Sequence, residues 1–170
     1  MKLPSRVAAL VLLLVAAVAL GGCGFKLRGQ QELPFDSVYI PPNNPLLTEL
    51  SRYIEFGSNA KVVSNPQDAQ ASIGLLAELQ EKIIVALNTK GQVQEYTLRY
   101  RVVFRVSGQK GFDFLPATEI VLNRDITFNN QVLAKENEEA LIYRDMRTDM
   151  VQQMLRRIAA SRPPAAEAEE

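Results

Sequence analysis

The 170-residue sequence contains no histidine, no tryptophan and only one cysteine. Without histidine, the chain cannot build Ser-His-Asp or Cys-His catalytic groups or the usual histidine-containing zinc sites. Without a second cysteine it cannot form an internal disulfide. It has no P-loop, GxSxG or dinucleotide-binding fingerprint, which leaves a carboxylate pair or a Ser-Lys arrangement as the remaining routes to catalysis. We therefore predict no enzymatic activity, no catalytic residues, no metal site and no cofactor.

The charge balance is even, with 19 basic and 19 acidic residues. Two of the basic residues, Lys2 and Arg6, lie at the amino terminus, so the rest of the chain carries a small net negative charge. Nucleic-acid-binding domains are typically strongly basic. We expect no nucleic-acid partner, and any bound polyanion must be recognised by basic residues that are concentrated in one place.

What the sequence does contain is an export signal. Lys2 and Arg6 precede an uninterrupted apolar run, Val7–Leu20, and small residues follow it. The run has fourteen residues, whereas a helix that spans a bilayer needs roughly 20. The sequence Leu-Gly-Gly-Cys that ends at Cys23 resembles the lipobox of bacterial lipoproteins, in which the thiol is diacylglycerylated. The alternative is an ordinary secretory peptide followed by an unmodified thiol.

We interpret residues 1–22 as a lipoprotein signal peptide and Cys23 as the site of lipid attachment. Two or three acyl chains such as palmitate would hold the protein at a membrane, whereas a single chain attaches only marginally. Gly24 follows the cysteine where lipoproteins retained in the inner membrane carry Asp. By analogy with bacterial lipoproteins, we expect a protein anchored on the periplasmic side of the outer membrane.

Residues 23–160 have a natural size for one domain, and residues 161–170 are expected to form a disordered tail. Apolar periodicity predicts strands near 37–40, 71–87, 95–106 and 119–128. It also predicts helices at 45–57 and from 130–135 to 158, while 61–63 is open between a short strand and a loop. The expected fold class is α+β, a four-stranded, mostly antiparallel sheet with two α-helices packed on one face, in the order β-α-β-β-β-α.

Alternation within the strands assigns their faces. In the strand at 71–87, the predicted inward residues are Ile73, Leu75, Ala77, Leu79, Ile83, Val85 and Leu87. In the next strand, Arg99, Arg101 and Arg105 share the opposite, wetted face, with Cα atoms about 7 Å apart for every two residues. Lys82 is expected to join this row from the neighbouring strand. Guanidinium groups bind phosphates and carboxylates bidentately, although such a row can also serve only to keep the face soluble.

Three further cations stand out. Lys90 lies at the tip of the hairpin loop at 88–92, and loop tips commonly display binding groups. Lys135 lies near the start of the last helix, where a cation is unfavourable with respect to the helix dipole. Arg147 falls inside the apolar stripe of that helix, and whether it pairs or extends to solvent stays open. Lys90 and Lys135 join the three arginines as candidate binding residues, with a purely solubilising role as the alternative.

Three blocks of sequence carry a family resemblance. They are Cys23-Gly24-Phe25-Lys26-Leu27-Arg28-Gly29, then Gly91-Gln92 with Glu95-Tyr96, and then Leu133-Ala134-Lys135-Glu136-Asn137-Glu138. Together with the size and the element order, they resemble the LptE family of lipopolysaccharide-assembly lipoproteins over about residues 23–158. The family's basic residue before the Gly-Gln pair is replaced here by Thr89, with Lys90 adjacent.

The resemblance implies a non-enzymatic protein that plugs the outer-membrane barrel LptD, assists its assembly and binds lipopolysaccharide during transport to the outer leaflet. It also implies that Lys135, with Lys90 beside the family's other cationic position, contacts lipopolysaccharide. Two other functions stay open. One is an accessory lipoprotein of a phospholipid transport system, and the other is a lipoprotein enzyme that acts on the cell wall.

Overall fold

The computed structural model describes residues 31–127 and 135–161. The signal peptide, Cys23, the block at 23–29, Phe128 and residues 162–170 lie outside the described residues. The elements are β1 (Ser37–Tyr39), α1 (Pro45–Gly57), β2 (Lys61–Val63), β3 (Ala71–Leu87), β4 (Val93–Gly108), β5 (Asp113–Thr127) and α2 (Lys135–Ala160), with short 3₁₀ turns at Pro66–Asp68 and Gln109–Gly111. Within the described residues, no helix is long and apolar enough to cross a membrane.

The strands form one mixed sheet in the order β2-β1-β3-β4-β5. The short strands β1 and β2 are parallel to each other, and β1 is parallel to β3. The β3–β4 and β4–β5 pairs are antiparallel. The α+β class and the two helices are confirmed, but the prediction of four strands is wrong. The stretch at 61–63 is too short to show a period, and it becomes a strand because β1 offers it a backbone partner.

The first helix spans the predicted residues 45–57, and it ends at Ser58 in an extended conformation. The side chain of Asn44 accepts hydrogen bonds from the backbone N–H groups of Leu46 (2.7 Å) and Leu47 (3.4 Å), and Pro45 occupies the first turn, where no N–H is needed. The inward face of α1 is fully or almost fully buried: Leu46, Leu47, Leu50 and Ile54. This face fixes α1 against the sheet.

The long hairpin of β3 and β4 contains a break in register that the alternation pattern does not reveal. Leu75 pairs with Phe104 and Ala77 pairs with Val103, so Leu76 is an extra residue without a partner on β4. Such a bulge reverses which side chains face each side of the strand. Leu79 is accordingly 46 % exposed. The register shifts again between Ile84 and Leu87, and Val85 and Leu87 are 55 % and 57 % exposed. The prediction that all odd-numbered apolar residues of β3 face the core is therefore wrong beyond the bulge.

The last strand is longer than predicted. It begins at Asp113, six residues before the predicted start, and contains Pro116. Register between β4 and β5 shifts between the pairs Phe104–Thr118 and Val106–Leu115, so Pro116 falls in the irregular stretch of an edge strand. An edge strand or a bulge tolerates a residue that cannot donate a backbone hydrogen bond.

The core lies between the sheet and the two helices. The buried side chains of α2 are Met146, Met150, Val151, Met154, Leu155 and Ile158. They pack with the buried face of β4, which consists of Leu98, Tyr100, Val102, Phe104 and Val106. Ala140 is exposed, and Met146 is fully buried in the core. Both helices cover the same face of the sheet, as predicted.

Candidate functional site

The arginine row on β4 lies where the alternation predicts. Arg99, Arg101 and Arg105 alternate with fully buried residues of the same strand, so they project from the face of the sheet opposite the helices. We call this the outer face. No helix in the described part of the chain packs on it.

Two of the three arginines have acidic neighbours on adjacent strands. Arg101 Nε lies 2.6 Å from Glu119 Oε1 on β5, and this hydrogen bond raises the pKa of Arg101. Arg99 Nη1 lies 3.9 Å from Glu81 Oε2 on β3. Cross-strand pairs of this kind stabilise the register. They also neutralise part of the charge that a bound anion would meet.

Arg105 has a different environment. It pairs in register with Gly74 on β3, and it has no partner on β5 because the register shifts there. A Cβ atom at Gly74 would lie 3.6 Å from Cγ of Arg105, so the arginine stem lies across the glycine. Within the described residues, no carboxylate oxygen lies within 4 Å of its guanidinium nitrogens. Of the row, Arg105 is therefore the member whose charge is least neutralised.

Lys82 does not belong to this row, and that prediction is wrong. The bulge at Leu76 turns Lys82 toward the helix side of the sheet, where it pairs in register with buried Leu98. Its Nζ atom lies 2.6 Å from Glu139 Oε2 of α2 and 4.5 Å from the centre of the Tyr96 ring. Lys82 thus ties α2 to the sheet.

Lys90 occupies an exposed position at the tip of the β3–β4 hairpin. The side chain of Asn88 accepts hydrogen bonds from the backbone N–H groups of Lys90 (2.9 Å) and Gln92 (3.0 Å). Gly91 has φ of 74°, a left-handed conformation that favours glycine. The turn is therefore fixed by its own hydrogen bonds, and it leaves the Lys90 side chain in solvent.

Lys135 is the first residue of α2, and its side chain lies outside the described residues. The first turns of this helix cross β3, because Tyr143 donates a hydrogen bond of 3.0 Å to the carbonyl oxygen of Glu81 and Glu139 pairs with Lys82. Later in the helix, Asp149 pairs with Arg124 (2.6 Å) and Arg157 bonds to the carbonyl oxygen of Glu119 (3.1 Å). The helix therefore runs away from the hairpin tip, and its first residue lies on the side toward Lys90.

The domain has two distinct ends. At the end where the described chain enters, Gln31 donates a hydrogen bond of 2.8 Å to the carbonyl oxygen of Gly57 and bridges to Ser58. We call this the entry end. The hairpin end, residues 83–96, lies at the far end of β3, which has 17 residues. At about 3.3 Å per residue, the two ends are about 50 Å apart. Lys90 and Arg105 lie toward opposite ends and cannot form one compact site.

A polar cluster at the bulge was not predicted. Glu78, the second residue after Leu76, accepts hydrogen bonds from Tyr100 Oη (2.5 Å) and from Asn44 Nδ2 (2.6 Å). Burial, and then the contact with Glu78, raise the pKa of Tyr100, while Arg147 acts on it in the opposite direction. The apolar position of Arg147 in its helix is thus explained by a polar neighbour on the sheet. The cluster joins β3, β4 and both helices.

The chain contains two Ser-x-x-Lys spacings, from Ser58 to Lys61 and from Ser107 to Lys110. The Ser107 hydroxyl donates to the carbonyl oxygen of Ser72 (3.4 Å). The Ser58 hydroxyl donates to the carbonyl oxygen of Ile54 (2.7 Å) and accepts from the N–H of Ala60 (3.2 Å), so both of its functions are used at the end of α1. Lys61 is exposed at the start of β2. The geometry is that of a helix cap.

Comparison with known proteins identifies the family. The sequence model of the family LptE, described as lipopolysaccharide-assembly, matches residues 35–158. The LPS-assembly lipoprotein LptE of Yersinia enterocolitica is 25 % identical, and the match covers 88 % of this chain and 74 % of that protein.

Solved structures share the fold. The solution structure of an uncharacterised lipoprotein B from Nitrosomonas europaea is 40 % identical, with a TM-score of 0.69 and coverage of 81 % of this chain and 91 % of that chain. The crystal structure of rare lipoprotein B from Shewanella oneidensis matches with a TM-score of 0.63 at 23 % identity, over 76 % of this chain and 94 % of that chain. Because the family model spans most of the domain, the chain belongs to the LptE family of lipopolysaccharide-assembly lipoproteins.

Proposed function

We propose that the protein is anchored through Cys23 on the periplasmic side of the outer membrane, plugs the LptD barrel, assists its assembly and contacts lipopolysaccharide, without catalysis of its own. The observation that carries this proposal is the separation of the entry end from the hairpin end, about 50 Å along β3. A bilayer with its headgroups is about 40–45 Å thick. A domain anchored near its entry end is therefore long enough to reach the opposite leaflet within a barrel.

The outer face supports a place inside a barrel. The interior of a large outer-membrane barrel is polar. The outer face carries Arg99, Arg101 and Glu119 in cross-strand ion pairs. The half-exposed side chains of Leu79 and Val121 lie beside Arg101 on the same face. Such a face fits a wet lumen better than the acyl region of a membrane.

Lipopolysaccharide carries phosphate groups, which basic side chains bind. We assign the principal contact to Lys90 and Lys135, because both lie toward the hairpin end and would reach the outer leaflet. We assign Arg99, Arg101 and Arg105 a weaker contribution, since acidic partners neutralise Arg99 and Arg101 and Arg105 lies toward the entry end.

The proposal is tested in two steps with the full-length protein. First, affinity purification from detergent-solubilised outer membranes should recover LptD in equal amounts. Second, the double variant Lys90→Asp with Lys135→Asp should retain about tenfold less lipopolysaccharide, because two charge-assisted contacts are lost.

A control with the same change of charge separates position from net charge. Lys61 and Arg156 are exposed and lie away from the hairpin end, so Lys61→Asp with Arg156→Asp should leave retention close to that of the unmodified protein. Equal retention by both double variants would refute the assignment of lipopolysaccharide contact to the hairpin end. Failure to recover LptD would refute the partner.

A further inference from the structure

An exposed aromatic surface lies on α1 at the entry end. Phe56 is 81 % exposed and Tyr53 is 40 % exposed. They are three residues apart and therefore neighbours on the helix surface, away from the buried face that contains Leu50 and Ile54. Exposure of a phenylalanine to this degree is unfavourable in water, so burial of this surface against a partner would be stabilising.

The path of the chain indicates what covers this surface. The backbone N–H of Gln31 bonds to the carbonyl oxygen of Gly57, the residue next to Phe56. Cys23 is eight residues upstream of Gln31. Eight residues span at most about 29 Å, so acyl chains on Cys23 would hold Phe56 within a short distance of the membrane surface at all times.

We propose that Phe56 and Tyr53 insert into the headgroup region of the membrane leaflet that holds the acyl chains, with Arg52, which lines the same groove, at the lipid phosphates. The inference rests on the lipid attachment at Cys23 in the proposed function. Aromatic side chains favour the boundary between acyl chains and water. A tether of this length gives a weak second contact a high effective concentration, so even a small surface is enough.

The contact sets the orientation of the domain. With the entry end seated on lipid, β3 points away from that leaflet and carries the hairpin end toward the far side of the membrane. An acyl anchor at Cys23 would not by itself impose this direction. The exposed apolar side chains of Ile84 and Leu87 on β3 lie toward the hairpin end, far from the anchor.

Because the sequence contains no tryptophan, a tryptophan introduced by substitution reports directly on the environment of its position. In the full-length acylated protein, Phe56→Trp introduces a single tryptophan, which can be excited selectively beside the five tyrosines, at an exposed position where it should not disturb folding. The protein is reconstituted into vesicles of phosphatidylethanolamine and phosphatidylglycerol, with or without a phospholipid brominated near the top of its acyl chains. At the depth of about 5–10 Å typical of interfacial contacts, residue 56 should lose at least about half of its emission to the brominated lipid.

Leu87→Trp is the matched control, since Leu87 is 57 % exposed and lies at the hairpin end. Its emission should be unchanged by brominated lipid. Flotation of the vesicles reports the acyl anchor separately. If both variants float with the vesicles and brominated lipid quenches neither, the proposed docking surface is wrong while the anchor stands. If residue 56 is shielded from solvent but brominated lipid does not quench it, the surface contacts protein and not lipid. If neither variant floats, the anchor and the inference that rests on it are both overturned.

Discussion

The same pair of strands behaves differently in its two halves. In the entry half, which contains residues 71–78 of β3 and 102–108 of β4, Ile73, Phe104 and Val106 are fully buried under the helices. In the hairpin half, which contains residues 79–87 and 93–101, Leu79, Ile84 and Leu87 are about half exposed. Beyond Ser72, β3 pairs only with β4 among the described residues. The entry half is a packed core, whereas in the hairpin half Leu98 and Tyr100 of β4 remain buried and the exposed apolar side chains lie on β3.

The two halves contribute different properties to the domain: the entry half contributes stability, and the hairpin half contributes exposed surface. Burial of apolar side chains dominates folding free energy, so the entry half holds the fold together. The hairpin half contributes fewer buried contacts, which leaves its surface available for a partner. An exposed apolar strand edge is a risk for aggregation in solution, and enclosure within a barrel would remove that risk.

The strongest test of this comparison makes the same substitution in both halves of the domain. Leu50→Ala removes a fully buried side chain of α1 under the entry half and should lower the free energy of unfolding by about 2–5 kcal/mol. Leu87→Ala, at an exposed position, should change it by less than about 0.5 kcal/mol. Urea unfolding of the detergent-solubilised protein measures both. Similar losses in the two variants would show that the hairpin half is packed like the entry half.

The boundary between the halves is the polar cluster at the bulge. Tyr100→Phe removes the hydroxyl that donates to Glu78 and leaves a partly buried carboxylate with one partner fewer. The expected loss is about 1–3 kcal/mol in the free energy of unfolding. Tyr53→Phe, at an exposed position, is the control and should have little effect. A neutral Tyr100→Phe variant would mean that the cluster does not stabilise the joint between helices and sheet.

The cluster also predicts how stability depends on alkaline pH. Burial and the contact with Glu78 raise the pKa of Tyr100 above its ordinary value, so the folded protein keeps a proton that the unfolded chain releases above about pH 10. The stabilisation is therefore complete below that pH and declines as the pH rises toward the folded pKa. Unfolding midpoints should fall between about pH 9 and pH 11, and Tyr100→Phe should show a shallower decline. An equal decline in the variant would assign the dependence to other groups.

The smallest expected effect concerns the outer face. Arg101→Ala breaks the pair with Glu119, but exposed ion pairs contribute about 0–1 kcal/mol. Arg105→Ala, which removes an arginine without such a partner, is the control for loss of the side chain itself. The difference between the two variants should shrink in high salt. A larger effect that persists in salt would indicate that the pair is structural and the outer face rigid.

The sequence was sufficient to predict most helices and strands but not the pairing of the strands in the sheet. Asn44 and Pro45 define the start of α1, and the alternation from Tyr96 to Val106 places the arginine row on the correct face. The bulge could not be predicted from the sequence, because Leu75, Leu76 and Ala77 are all apolar and fit either register. Because the bulge was not predicted, Lys82 was assigned to the wrong face of the sheet. The pairing of β1 with β2 depends on a distant backbone partner that no local pattern contains.

Of the candidate site, the sequence predicted where the cations lie but not which acidic residues lie beside them. Alternation identified which arginines share a face, and the hairpin loop identified Lys90 as a tip residue. The acidic partners Glu81 and Glu119 come from neighbouring strands, so register decides whether they meet the arginines. The contact of Glu78 with Asn44 joins residues 34 positions apart, and only the folded chain brings them together.

The central claim is that the hairpin end lies within the LptD barrel while the entry end stays at the anchoring leaflet. A photo-reactive phenylalanine analogue at position 87 in living cells tests this most directly, with the same analogue at position 56 as the comparison. We predict that irradiation gives a covalent adduct with LptD from position 87 and a much weaker one from position 56. Absence of an adduct from position 87, in cells where LptD copurifies with the protein, would contradict the claim.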